Sequence, residues 1–258
     1  MTTLEDRIAD LQHQAGLLLD LPQQIADTAT ARINALGDYW QQRQSSMRSV
    51  SYVHQTIGDD AGGGTEDEPI KSIEEALRRT PVGGVCEVRL MSAYHFVDVT
   101  EIGERELIIK SSSTIRHAIT LERLRGAYTD PNGRRTGGPR LGFDSSVTYM
   151  GVTLVVPPLD GGWGDYQLYP QYSGFAQPGW SAQALLGRVR ITLCDLSIPT
   201  NPYCPIVGFE GWRILALQCN SLVLTDQPYV GNLVAGATDP AGTATASLPW
   251  LLTNLTTV

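Results

Sequence analysis

The chain has 258 residues, of which 42% are hydrophobic and 18% charged, and its formal net charge is −8. That length fits one large domain, or one domain with an appendage, and the apolar fraction excludes wholesale disorder. With 26 glycines and 15 prolines the composition points to a loop-rich β protein rather than a helical bundle, and so acidic a chain suits neither nucleic acid nor an anionic membrane.

Residues 1–50 read as a helical stalk or attachment segment. Leu4, Ile8, Leu11, Ala15 and Leu18 recur in steps of four and three, the a/d seam of a coiled coil. Pro22 takes the next seam position and is expected to end the first helix near Asp20–Leu21 and start a second. Ile25, Ala29, Ile33, Leu36 and Trp40 then form another apolar stripe, weakened by Gly37. So narrow a stripe needs identical helices or a host protein beside it. Leu4, Ile8, Leu11, Leu18, Ile25, Ile33 and Leu36 are therefore the candidate oligomerisation and anchoring residues; packing on the chain's own domain is the alternative.

Residues 51–84 hold the most specific signal. Ser51 to Ile57 reads as a short strand, Gly58 to Thr65 as a glycine-rich loop, and Pro69 to Leu77 as a capped helix. Gly58 and Gly62–Gly64 suit positive φ. Ile70, Ile73, Ala76 and Leu77 form its buried face, and Thr65 or Asp67 is the expected cap. The order YV, G-D-D, G-T, then P-I-K-S-I-E-E-A resembles the entry segment of right-handed parallel β-helix proteins of the pectate-lyase-like class, common in phage tailspikes and fibres. In that family the helix closes the first coil. The close resemblance spans about 40 residues and implies a mainly β fold: a short right-handed parallel β-helix preceded by an α-helical coiled-coil segment.

Residues 85–226 carry short strands consistent with that expectation. Val85–Leu90, Leu107–Ile109 and Ile119–Leu121 are apolar strand candidates. Val147–Leu154, Ile191–Ile198 and Leu215–Leu224 superpose loosely, at shifts of 42 (149 to 191) and 24 (193 to 217) residues. Such self-similarity marks stacked coils; a β-sandwich with similar strands is the alternative. Residues 227–258 are expected to cap the last coil, or to interlock subunits through Leu248-Pro249-Trp250-Leu251-Leu252.

Four features are candidates for function. Trp163, Tyr166, Tyr169, Tyr172, Phe175 and Trp180 place six aromatics within 18 residues of Gly, Pro, Gln and Ser. Flat rings with polar handles suit sugar C–H faces, although a long loop also needs such rings as anchors. A second insertion (Tyr203, Phe209, Trp212, with Glu210) is expected alongside the first. Six arginines between Arg116 and Arg140, among them Arg134 and Arg135, face only Glu122 and Asp130; they suit an acidic glycan or merely solvated turns. Asp130-Pro131-Asn132-Gly133 reads as a turn there. Asp144, Asp160, Asp165, Asp195, Glu210 and Asp226 are available for acid/base work, but no hydrolase or lyase signature accompanies them.

Trp163, Tyr166, Tyr169, Tyr172, Trp180, Trp212, Arg134 and Arg135 are thus the candidate carbohydrate-binding residues, with no catalytic or metal residue assigned and no cofactor expected. Asp59, Asp60, Glu66, Asp67 and Glu68 lack EF-hand spacing, and the four histidines are dispersed. Cys86, Cys194, Cys204 and Cys219 have neither CxxC nor zinc spacing and read as reduced, buried thiols. No apolar run reaches the ~20 residues of a membrane span, and Leu17–Leu19 is too short for a signal-peptide core. Together with the resemblance, these features imply a fibre or spike of a tailed phage or gene transfer agent, assembled in the host cytoplasm and located in the virion. It would be a homotrimer, joined to other virion proteins by its N-terminal segment and to host-surface glycan by its loops. A polysaccharide depolymerase and a purely structural virion adaptor are the alternatives.

Overall fold

A single helix, α1 (Leu4–Ser46), forms one unit by itself, and residues 47–258 form the other. The computed structural model describes residues 3–127, 130–142, 144–162, 167–169, 172–178, 186–209, 214–224, 231–235 and 243–258. Thr3 caps α1 through the Asp6 amide, which donates to Thr3 Oγ1 at 3.2 Å. Pro22 does not end the helix as its ring and missing N–H predict; α1 runs through it, at an expected cost of roughly 3 kcal/mol. The two apolar stripes consequently lie on one helix, with Leu4, Ile8, Leu11, Ile25, Ile33 and Leu36 all exposed. Leu18 lies where side chains are outside the description. Among the described residues no helix is long and apolar enough to cross a membrane.

The second unit is mainly β and parallel. Strand β1 (Arg48–Val53) begins before residue 51, so the first boundary falls at 46/47 rather than 50. Helix α2 (Ile73–Arg79) follows the glycine loop. Its N-cap is Ser72, not Thr65 or Asp67, with Ser72 Oγ accepting from the Glu75 amide at 3.2 Å. Asp60 accepts from the Lys71 and Ser72 amides and from Ser72 Oγ, which fixes the loop to the helix start. Arg79 donates to the carbonyls of Gly62 and Asp60 and ties down the other side. Glu75 takes Arg78 and Arg79 as partners, and those hydrogen bonds lower its carboxyl to about 2.

From there the chain moves repeatedly through the same three sheets. One pass is β2 (Val85–Leu90), β3 (Tyr94–Phe96) and β4 (Val99–Gly103). The next holds β5 (Glu106–Ser111), β6 (Ala118–Leu121), a hairpin of β7 (Arg123–Ala127) and β8 (Asp130–Thr136), and β9 (Gly138–Leu141). A third holds β10 (Ser146–Met150), β11 (Thr153–Val155), β12 (Gln167–Leu168) and β13 (Gln177–Pro178). Then come β14 (Leu186–Thr192) and β15 (Asp195–Ser197), β16 (Ile214–Asn220) and β17 (Val223–Leu224), and last β18 (Leu251–Thr253). The sheets are β1-β2-β5-β10-β14-β16-β18, β3-β6-β11-β15-β17 and β4-β9-β13, with the parallel bridges Ala176↔Val207↔Val234 beside the third. All pairings within these three sheets are parallel.

Register aligns like residues into internal columns. Ser51, Val88, Ile109, Tyr149, Ile191 and Cys219 are successive partners across the large sheet, all buried. Tyr94, Ile119, Leu154 and Leu196 form a second buried column. The 42-residue shift is the observed pairing Tyr149↔Ile191; the next shift is 28 residues, Ile191↔Cys219, rather than 24. The corners between the first and second sheets repeat as well: Gly151, Leu193 and Ser221 occupy corresponding places and all have positive φ, +62°, +55° and +52°. Residues 227–258 do more than cap, since Leu251 pairs with Leu215 and Trp250 stacks on Phe209 at 4.4 Å. All four cysteines are buried and unpaired, and burial pushes the Cys204 and Cys219 thiols to about 12.

One polar feature of the large sheet escaped the sequence reading. Glu87 on β2 is buried and meets Arg48 from β1 at 2.5 Å, Arg89 at 2.9 Å and Lys110 from β5 at 2.6 Å. Burial pushes its carboxyl upward, but the hydrogen bonds from Lys110, Arg48 and Arg89 prevail and hold it at about 2. A depressed carboxylate stabilises the fold above its unfolded value of 4.5, and that stability disappears as pH falls from 4.5 toward 2. Glu87→Gln is therefore expected to cost about 2–3 kcal/mol at pH 7 and to flatten, without abolishing, the acid limb, because Glu75 remains. Urea unfolding from pH 7 to 2 measures both effects.

Candidate functional site

The residues expected to bind sugar converge only in part, and the insertions bring them there. The β7–β8 hairpin is antiparallel, with Arg125 opposite Arg134 and Leu124 opposite Arg135. The Asp130–Gly133 turn signal lies within β8 itself, so pairing overrides local turn preference there. In the following pass β12 adds to β8 in parallel, Leu168 beside Arg134. The aromatic insertion therefore adjoins the arginine hairpin, and its end also lies beside the Tyr203 segment, where the Phe175 amide donates to the Ile206 carbonyl at 2.7 Å and Ala176 bridges Val207 in parallel.

A short turn then presents two rings. The Tyr169 amide donates to the Arg134 carbonyl at 3.1 Å, and the Tyr172 amide and Ser173 Oγ donate to the Tyr169 carbonyl. This stacks Tyr169 on Tyr172, centroids 6.1 Å apart at 22°, both half-buried. The Arg134 guanidinium sits 5.4 Å from the Tyr203 ring centroid. Arg135 donates from Nε to the Gly126 carbonyl at 3.0 Å and so braces the hairpin.

Other members of the two insertions are anchors. Phe175 is buried and meets Tyr149 edge-on at 6.2 Å, while Tyr149 Oη donates to its carbonyl. Tyr203 is fully buried, and its hydroxyl, pushed upward by burial, donates to the Leu124 carbonyl at 3.3 Å. Phe209 is buried under Trp250. In the second insertion Tyr203 and Phe209 thus serve as anchors, whose large apolar areas fasten long connections to the core. Trp163, Tyr166, Trp180 and Trp212 lie outside the described residues, as do Asp165, Glu210 and Asp226.

Three of the six arginines in the arginine-rich stretch pair with carboxylates. Arg116 pairs with Asp195, Arg123 with Asp160, and Arg140 with Glu101 at 2.7 Å; Asp144 pairs with Arg188. The described candidate carboxylates Asp144, Asp160 and Asp195 are each held by a guanidinium from another segment, not by a second carboxylate. General acid/base cleavage of a glycoside needs two carboxyl groups about 5–10 Å apart across one bond. Glu122 is lowered by its hydrogen bond with His95, at 3.0 Å. Among the described residues, no group of three or more His, Cys, Asp or Glu is placed to hold a metal ion.

No protein-family model and no curated protein matches the chain. Among solved structures, the native GH136 lacto-N-biosidase from Eubacterium ramulus is similar at 15% identity and a TM-score of 0.25, over 78% of this chain and 37% of that one. The chain thus spans little more than a third of that protein's length.

Proposed function

We propose that this chain is a noncatalytic fibre or spike protein of a virion, built as a short right-handed parallel β-helix, which binds host-surface polysaccharide through its inserted loops. The observation carrying this reading is the repeated passage of the chain through the same three parallel sheets, with extra strands added between passes. A stack of this kind gives a rigid support on which insertions of successive turns lie side by side, as β8 and β12 do. The Tyr169–Tyr172 pair beside Arg134 supplies flat apolar faces next to polar groups, the composition sugar recognition needs. Engagement of Asp144, Asp160 and Asp195 by arginines favours binding over hydrolysis. The exposed stripe of α1 supports a homotrimer and attachment to other virion proteins.

The test is binding of the full chain to an array of bacterial surface polysaccharides before and after periodate oxidation. Binding that vanishes on oxidation, with no fragments released from the retained polysaccharide, is the expected result. Fragment release would turn the assignment to a depolymerase. No binding at all would leave a structural adaptor in its place.

A further inference from the structure

The first three strands of the large sheet carry more positive charge than they balance. Side chains alternate between the two faces of a strand. Ser51, Val88 and Ile109 point into the core, so Tyr52, Glu87, Arg89 and Lys110 lie on the outward face. Tyr52, Arg89 and Lys110 are direct cross-strand partners on β1, β2 and β5. Two cations set opposite each other in this way repel. Glu87 holds them there: its Oε1 accepts from Arg89 Nε at 2.9 Å and from Lys110 Nζ at 2.6 Å, and its Oε2 accepts from Arg48 at 2.5 Å. One carboxylate thus serves three cations, and the cluster keeps two positive charges. Glu106, the other acid facing outward on these strands, forms no ion pair among the described residues. Arg116, Arg123, Arg140 and Arg188, in contrast, each pair with one carboxylate.

The head groups are fixed in place and still have donors to spare. Glu87 is 2% exposed, and the Arg89 and Lys110 side chains are 35% and 27% exposed. Arg89 Nη1 donates to the Tyr52 hydroxyl at 2.8 Å, and its guanidinium lies 5.3 Å from the Tyr52 ring centroid. Among the described residues, Arg89 Nη2, Arg48 Nε and Nη1 and the remaining Lys110 ammonium protons have no partner. The Tyr52 hydroxyl, which accepts from Arg89, keeps its own proton to donate.

Charge and donor geometry select the ligand. A carboxylate brings one charge and two oxygens in one plane, whereas a phosphate group brings close to two charges and three strong acceptor oxygens. The chain's overall charge of −8 opposes a long polyanion, which leaves a small one. We propose that Arg48, Arg89 and Lys110, gathered by Glu87, bind a phosphate dianion, free or as the end group of a monoester, with the Tyr52 hydroxyl as a further donor. The donors are already held in position, so little side-chain freedom is lost on binding. The site shares no residue with the tyrosine-bearing insertion and stands independently of sugar binding.

Isothermal titration of the full chain at about pH 8, where a phosphate monoester carries two charges, tests the assignment. Inorganic phosphate, phenyl phosphate and acetate are compared, with chloride keeping the ionic strength constant. At least one of the two phosphates is expected to bind with a Kd of about 1 mM or lower, and acetate about tenfold more weakly. Equal affinity for both assigns the site to the phosphate group alone; tighter phenyl phosphate assigns it to a monoester. Lys110→Met and Arg48→Gln should each weaken binding roughly fivefold or more, as loss of a charge-assisted hydrogen bond requires. Each leaves Glu87 two cationic partners, so the circular dichroism should match the parent's. Should either fail to fold, Tyr52→Phe removes only a hydroxyl and should still weaken binding about twofold or more. Arg188→Gln, on the same sheet but paired with Asp144, should leave the affinity unchanged. Absence of binding by both phosphates, acetate binding as tightly as phosphate, or indifference to the Lys110 and Arg48 substitutions would overturn the proposal.

Discussion

Gly58→Ala is expected to destabilise the strand-built unit by about 3–4 kcal/mol, among the largest effects of adding one methyl group. A Cβ at residue 58 would fall 2.3 Å from the Ile70 carbonyl oxygen and 2.6 Å from that of His54. Neither oxygen is free to retreat: Ile70 O accepts from the His54 amide at 2.9 Å, and His54 O from the Gly58 amide at 2.8 Å. Relief of the clash must break at least one of these bonds in a buried setting. Ile70, which bridges Val53 ahead of α2, and Ile73, the first residue of α2, are both fully buried and would then be exposed with the loop. Urea denaturation should show a lower midpoint, together with a smaller m-value if the loop and α2 detach before the rest. Gly161→Ala, where a Cβ meets nothing within 4 Å, is the matched control and should stay within about 0.5 kcal/mol of the parent. An unchanged Gly58→Ala midpoint would mean that the loop does not close on Ile70 as described.

Gly58 also illustrates what was legible in the sequence. The entry segment was readable because strand, glycine loop and helix are local, each set by propensity and period. The reason for Gly58 was not: backbone approach excludes a side chain there, whereas positive φ occurs at Gly64 (+75°). The 42-residue shift could be read from VTYM and VRIT-like alternation, but the 28-residue shift was missed. The turn residues Leu193 and Ser221 adopt positive φ without being glycine, so they gave no marker for alignment.

The candidate site was less legible, for a related physical reason. Aromatic density locates a long insertion but does not separate rings that anchor it from rings that face outward. Tyr203 and Phe175 are interred because the core beneath each connection has to be filled; Tyr169 and Tyr172 are half-buried because their turn hangs on the Arg134 carbonyl. Likewise, arginine count gave no sign that Arg116, Arg123 and Arg140 meet carboxylates 79, 37 and 39 residues away. The cation cluster around Glu87 has no sequence signature at all. Its residues come from three strands and become neighbours only through register.

Removal of residues 1–46 is expected to convert the proposed trimer into a monomer while leaving the parallel sheets folded. Helix α1 spans about 64 Å and exposes Leu4, Ile8, Leu11, Ile25, Ile33 and Leu36 along one stripe. Burying such side chains in a three-helix seam contributes roughly 1.5–3 kcal/mol each, so six of them offer about 10 kcal/mol per chain against the entropy of association. Residues 47–258 contain their own buried columns and need no apolar surface of α1 to complete them. Light scattering should give a threefold larger mass than one chain for the full protein and a single-chain mass after truncation, with the β signal in circular dichroism retained. Pro22 provides the internal check, because it removes one helical hydrogen bond from each strand of the seam. Pro22→Ala should stabilise the helical signal by about 3 kcal/mol per chain at most, raising its melting temperature, and should not alter the melting of the sheets. A truncated chain that stays trimeric would move the association surface to the sheets and leave the stripe of α1 to a different protein.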